Sequence, residues 1–178
     1  MSKFLIVSDI HGDRAILVDI LKQWHHQVDG VFYNGDSELP ATDDVFHGVS
    51  TVIGNMDDDD QFADDQVVTI DGVTFFQTHG HLYRATKANT WANLDLMNQA
   101  ANKAKAQVVL FGHTHIDGAT IFDHKLFINP GSTTIPKGPR AALGGTYAVL
   151  TASDKSYVVN FYTRTHQLLP DLTVEVPR

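Results

Sequence analysis

Three times within its first 55 residues the chain runs a short apolar segment into a polar break that carries a carboxylate or an amide. Phe4 to Val7 ends on Ser8-Asp9, Val31 to Tyr33 on Asn34-Gly35-Asp36, and Val49 to Ile53 on Gly54-Asn55. Short β-forming runs closed by turn residues read as buried strands. Between the first two, Leu17, Ile20, Leu21 and Trp24 recur at helical spacing, with Asp13 placed to cap the helix N-terminus. Strands alternating with helices predict a parallel sheet, which collects its polar loops at the carboxyl edge where α/β proteins bind ligands. Asp9, Asp36 and Asn55 are therefore expected on one edge.

Gln66 to Ile70 and Val73 to Gln77, split by Asp71-Gly72, carry a hairpin signal, and Thr78-His79-Gly80-His81 follows at once. Trp91, Leu94, Met97, Ala101 and Ala104 predict a helix between Asn89 and Lys105, and Val108 to Phe111 is a strand that delivers Gly112-His113. Ala119 to Phe122, Leu126 to Ile128, Thr146 to Leu150, Tyr157 to Tyr162 and Leu172 to Val176 predict a last third that is mostly antiparallel β. With no linker or repeat in the series, residues 1–178 are expected to form one domain of two packed sheets flanked by helices.

A domain of 178 residues can bury a single core without a staple or a partner. With 43% hydrophobic and 19% charged residues it falls in the soluble globular class. The balance of 13 Lys+Arg against 21 Asp+Glu, a net charge of -8, sets the average surface against phosphate backbones, so stable nucleic-acid binding is not expected. An anionic substrate can still bind where a local cluster of metal ions overrides that field. The absence of cysteine excludes disulfides, thiolate metal sites and a cysteine nucleophile, leaving nitrogen and oxygen ligands among ten histidines and the acids and amides. The opening MSKFLIVSDI has too short an apolar run for a signal peptide, and no later run approaches a membrane span. A cytoplasmic location with no membrane partner is the expectation.

Five motifs stand out: Asp9-Ile10-His11, Gly35-Asp36, Gly54-Asn55, His79-Gly80-His81 and Gly112-His113-Thr114-His115. Singly, each has an ordinary explanation as a cap, a turn or a surface group. Together they all follow apolar runs, and a shared sheet edge would gather them into one pocket. Carboxylate, amide oxygen and imidazole suit manganese, iron or zinc where thiolates are absent. In this order the motifs resemble the D-x-H, G-D, G-N, H and G-H-x-H series of the calcineurin-like metallophosphoesterase superfamily, over residues 9 to 115. Asn129-Pro130-Gly131-Ser132 resembles the N-P-G-S of its small bacterial and archaeal phosphodiesterase branch, which a retromer subunit also resembles.

The resemblance implies an α/β fold, the family's four-layer α/β/β/α sandwich, and hydrolysis of a phosphate ester, with a phosphodiester as first choice. It implies one metal on Asp9, His11 and His115, a second on Asn55, His79 and His113, and Asp36 as the bridge. Two divalent ions, manganese first and nickel, zinc, iron or magnesium as alternatives, would share a water, supply a metal-bound hydroxide as nucleophile and clamp the phosphoryl oxygens. Many members carry a His after G-N that protonates the leaving group, whereas this chain has Met56 there, before Asp57. The small-phosphodiesterase branch lacks that His too. His81 is the nearest candidate for a catalytic proton donor, and a supporting loop role fits it equally.

A complete ligand set argues against a non-catalytic scaffold on the same fold, because the retromer subunit has altered ligands. Phosphomonoesterase and nucleotide pyrophosphatase activities are not separated from phosphodiesterase by these residues. The expected partner is a small phosphate-ester substrate; its identity, the metal and a homo-oligomeric state stay open. Tyr83, Arg84, Lys137 and Arg140 are rim candidates, with a surface role the plainer expectation. His25 and His26 at the end of the first helix, and His47, His124 and His166 in turn or edge contexts, are assigned no function. The acidic run from Asp57 to Asp65 lacks the spacing of a calcium loop and is expected to be solvated.

Overall fold

Strand β1 (Ser2–Val7) is apolar from Phe4 to Val7 because both of its faces are covered there. Phe4 and Ile6 face a core between two sheets, while Leu5 and Val7 lie under helix α1 (Arg14–Trp24). The structure, a computed structural model, describes residues 1–87 and 90–178. Asp13 caps α1 by accepting the Ile16 N–H at 3.2 Å, and the helix buries Ile16, Leu17 and Ile20. Strands β2 (Gly30–Tyr33) and β3 (Ser50–Thr51) extend parallel from one side of β1. On the other side β9 (Thr146–Ala152), β10 (Ser156–Thr163) and β11 (Val174–Pro177) follow antiparallel, giving the order β11-β10-β9-β1-β2-β3.

The second sheet opens with the hairpin of β4 (Asp65–Ile70) and β5 (Val73–Thr78). Its turn holds Asp71 and Gly72 at φ 50° and 75°, the paired positive values that a two-residue hairpin loop demands. Strands β6 (Val108–Leu110) and β8 (Lys125–Asn129) run parallel to β5, and β7 (Gly118–Phe122) closes the edge antiparallel, in the order β4-β5-β6-β8-β7. Phe4, Ile6 and Phe32 of the first sheet meet Phe75, Val108, Leu110 and Ile128 of the second, with Phe4 and Phe75 edge-on at 4.8 Å. Helix α2 (Asp95–Lys103) covers the outer face of the second sheet through Met97 and Ala101, against Phe76, Val109 and Phe127. The layers run helix, sheet, sheet, helix: the α/β four-layer sandwich that the resemblance implies.

The differences from expectation are local. The helix expected from Asn89 to Lys105 is α2 alone; Asn89 lies outside the described residues, Trp91 is tied by its indole N–H to the Ile116 carbonyl, and Asn93 N–H goes to the Ala85 carbonyl, a bond that takes a backbone donor a helical turn would use. The strand expected over Val49 to Ile53 shortens to β3, with Val52 and Ile53 pairing with Ala63 instead. The strand expected from Leu172 starts at Val174, after a short 3-10 turn at Pro170–Leu172. Among the described residues no helix is long and apolar enough to cross a membrane.

Candidate metal centre

The carboxyl ends of β1, β2, β5, β6 and β8 open onto one edge, and side chains tie the two sheets together there. The buried Asn34 amide donates to the Phe111 carbonyl at 3.1 Å, His113 N–H donates to Asp9 Oδ2 at 3.2 Å, and Ser132 Oγ donates to the Asp9 carbonyl at 2.7 Å. Asp9, His11, Asp36, His113 and His115 all take positive φ, between 44° and 66°. Asp and His tolerate that region better than most residues, yet such strain persists only where the surroundings over-determine it. Five of the seven ligand positions implied by the motifs are held this way.

Asp9, His11, Asp36 and His115 each offer a ligand atom, and these atoms lie within 4.8 Å of one another. His11 Nδ1 donates to the Glu38 carboxylate at 2.8 Å and His115 Nδ1 donates to the Ile135 carbonyl at 2.7 Å. With those protons placed, both Nε2 atoms of the neutral rings carry lone pairs, and they face each other at 3.2 Å. Asp9 Oδ1 stands 3.2 Å from His115 Nε2 and, though buried, has no hydrogen-bond partner among the described residues. Its other oxygen accepts from Ser8 Oγ and His113 N–H. Acceptors converging on acceptors are repulsive unless a cation lies among them, so the donor set fits a divalent ion with nitrogen and oxygen ligands.

The remaining implied ligands lie beside this cluster. His79, fully buried, donates Nδ1–H to the Asn34 carbonyl at 2.6 Å and turns Nε2 toward Asn55 Oδ1 at 3.2 Å and Asp36 Oδ2 at 3.4 Å. The His113 ring meets His79 edge-on at 5.1 Å. Burial opposes a charge on His79, but the Asp9 charge and the Asp36 hydrogen bond outweigh it and its pKa is raised. Asp36 shows the reciprocal effect: burial resists ionisation, and the hydrogen bond and charge of His79 with the Met56 N–H bring its pKa down to about 2. His113 is half-buried, and that burial with the His79 charge lowers its pKa to about 4. Asp36, a member of the four-residue cluster, thus also faces His79: its Oδ2 lies 3.9 Å from His11 Nε2 and 3.4 Å from His79 Nε2.

Residues 2–155 match the family model described as the calcineurin-like phosphoesterase superfamily domain. The chain belongs to that superfamily. The probable metallophosphoesterase YsnB of Bacillus subtilis is 34% identical over 170 residues, 94% of this chain and 95% of that protein. Phosphodiesterase YfcE of Escherichia coli K12 is 29% identical over 189 residues, 89% of this chain and 96% of that protein. A crystal structure of a Streptococcus pneumoniae protein described as a predicted phosphoesterase superposes with a TM-score of 0.90 at 32% identity, covering 99% of this chain and 98% of that one.

Within this calcineurin-like scaffold several supporting residues escape the motif reading. Asp57 accepts the N–H groups of Asp36, Ser37, Glu38 and Gly54 at 2.7 to 2.8 Å, and Ser37 Oγ at 3.0 Å. Asp59 accepts Ala41 N–H and Gln61 N–H. The expectation of a solvated acidic run is therefore corrected: Asp57 supplies the acceptor that backbone donors around the G-D and G-N motifs need, Asp59 does so for Ala41 and Gln61, and Asp65 accepts the Tyr83 hydroxyl. Asn129 donates to the Gly112 carbonyl and to Thr114 Oγ1, fastening the G-H-T-H loop. The motif glycines are required by contact: a Cβ on Gly54 would lie 2.8 Å from Asp36 Cγ, and one on Gly112 would lie 2.6 Å from Asp9 Oδ2.

His81 sits in a 3-10 turn, His81–Tyr83, with its ring 5.3 Å from His79 and 6.1 Å from His113. Its Nδ1 is buried without a partner among the described residues. Burial and the His79 charge lower its pKa, which favours the neutral ring. Met56 is 52% exposed, and its N–H, not its side chain, holds Asp36 Oδ1 at 2.8 Å. Of the rim candidates, Tyr83 donates to Asp65 at 2.5 Å and Arg140 to Asp117 at 2.6 Å, while Lys137 N–H donates to the His115 carbonyl. Tyr83 and Arg140 are thus engaged within the protein. His166 bridges Asp19 and Tyr147, away from the cluster.

Proposed function

We propose that this chain is a phosphodiesterase working with two divalent ions, manganese first. Asp9, His11 and His115 hold one ion, Asn55, His79 and His113 the other, and Asp36 lies between them. The observation that carries the proposal is the pair of Nε2 lone pairs of His11 and His115 facing each other at 3.2 Å beside Asp9 Oδ1, which has no hydrogen-bond partner among the described residues. When bound, divalent ions supply a water of lowered pKa and a positive clamp for phosphoryl oxygens. The chain's own work is orientation: Glu38, Ile135 and Asn34 fix the tautomers of His11, His115 and His79, and Met56 N–H leaves Asp36 Oδ2 turned toward His79. The preference for diesters rests on the similarity to YfcE, whose name states that activity. The cytoplasmic location expected from the opening residues belongs to the same proposal.

The test is a panel of metal-stripped protein resupplied with Mn, Ni, Zn or Mg, assayed on bis(p-nitrophenyl) phosphate, p-nitrophenyl phosphate and cyclic nucleotides. Metal-dependent hydrolysis with higher kcat/KM on the diester is the expected result. Equal or higher efficiency on the monoester contradicts the diester assignment, and no hydrolysis by a metal-loaded centre favours the scaffold reading.

A further inference from the structure

Three imidazoles of the centre commit Nδ1–H to an oxygen, and one of those oxygens differs in kind. His79 and His115 donate to the main-chain carbonyls of Asn34 and Ile135. His11 donates to the carboxylate of Glu38, Nδ1 to Oε1 2.8 Å. Glu38 is fixed from behind: its backbone is left-handed at φ 56°, and its N–H donates to Asp57 Oδ1 at 2.7 Å. The carboxylate that holds the Asp36 N–H therefore also sets where Glu38 begins. With 40% of the Glu38 side chain exposed, one side of its carboxylate meets water while the other binds the imidazole.

A carboxylate on the far nitrogen of a ligating imidazole fixes its tautomer and ring plane and makes the near nitrogen a stronger donor. We infer that Glu38 is a positioning residue for metal binding, holding His11 with Nε2 turned toward Asp9 and His115. The inference rests on the two-metal reading above and gives Glu38 no contact with metal or substrate. Because the other two imidazoles rely on neutral carbonyls, removing Glu38 weakens the ion on Asp9, His11 and His115 and spares its neighbour.

The test titrates Mn2+ into the metal-stripped full chain by calorimetry, for wild type, Glu38→Ala and Glu38→Gln. Glu38→Ala should lose about 10- to 100-fold in affinity for one ion with the other unchanged. Glu38→Gln keeps an acceptor oxygen without the charge and should lose less. Proton NMR of the metal-free protein gives a second readout: a downfield imidazole Nδ1–H resonance in wild type that disappears in Glu38→Ala. Combined with His11→Ala, Glu38→Ala should add no further loss. Unchanged affinities in Glu38→Ala, loss of the resonance without weaker binding, or an additive double variant would each overturn the inference. Should Glu38→Ala fail to fold, unchanged affinities in Glu38→Gln overturn it in the same way. Failure of the wild type itself to bind Mn2+ overturns the two-metal reading instead.

Discussion

Asp57 accepts the backbone N–H of Asp36 at 2.8 Å, so a residue outside the candidate ligand set holds the loop that carries Asp36, whose pKa is brought down to about 2. Asp57→Ala leaves the N–H groups of Asp36, Ser37, Glu38 and Gly54 without that acceptor. A buried donor left unpaired costs about 1–3 kcal/mol, so the variant should lose at least that much stability, and metal affinity with it. Urea unfolding with metal titration reads both; an unchanged midpoint and unchanged binding would contradict the assignment.

Gly54→Ala and Gly112→Ala should each lower metal content, because the added methyl group runs into Asp36 and Asp9 respectively. Overpacking of this kind costs roughly 1–3 kcal/mol, and here the displaced groups are the carboxylates of the centre. Metal analysis of purified variants checks it. Full metal content in both would show that the loops relax without moving those side chains.

How far the sequence reached follows from which physical signals are local. Strand β1 and the Asp71-Gly72 hairpin were legible because an apolar run and a pair of positive-φ residues specify them without help from distant parts of the chain. The start of α2 was not, because Trp91 and Asn93 are bound by residues 25 and 8 positions away, and periodicity contains no such information. The glycine-containing motifs were legible because Gly beside Asp, Asn or His leaves room that the fold then uses. Asp57 was hidden among identical neighbours, and Glu38 had no motif at all; only the geometry separates them from Asp58 and Asp60.

Stability of the metal-free protein should fall in acid. Asp43 is held at about 2 by the Arg14 hydrogen bond and Val45 N–H, and Asp123 at about 2 by Asn98, Asn102 and Lys125, against an ordinary value of 3.8. A folded pKa below the unfolded one contributes stability that is complete above the unfolded value and is lost as pH falls through the folded value. The part of the urea midpoint that these two carboxylates contribute should therefore be complete above about pH 5 and decline from about pH 4 to pH 2. Asp43→Asn should flatten part of that decline; an identical decline would remove Asp43 from the account.

Leaving-group dependence tests the Met56 position. A thioether donates no proton, so hydrolysis should slow steeply as the leaving-group pKa rises. Met56→His should flatten the slope if its imidazole reaches the departing oxygen. If His81 is the proton donor, His81→Ala should steepen the slope with metal content unchanged. In that case kcat/KM on alkyl esters should also fall as pH rises through a value below 6.5, because burial and His79 lower the His81 pKa. A flat wild-type slope unchanged by either substitution would show that protonation is not limiting.

In the proposed function, hydrolysis depends on metal gathered around Asp36. Metal content and turnover of bis(p-nitrophenyl) phosphate, measured on the same preparations of wild type and Asp36→Asn, test it most directly. Two divalent ions per chain with turnover are expected in the wild type, and in Asp36→Asn a lowered content with most turnover lost. Wild-type turnover by an Asp36→Asn protein stripped of metal would contradict it.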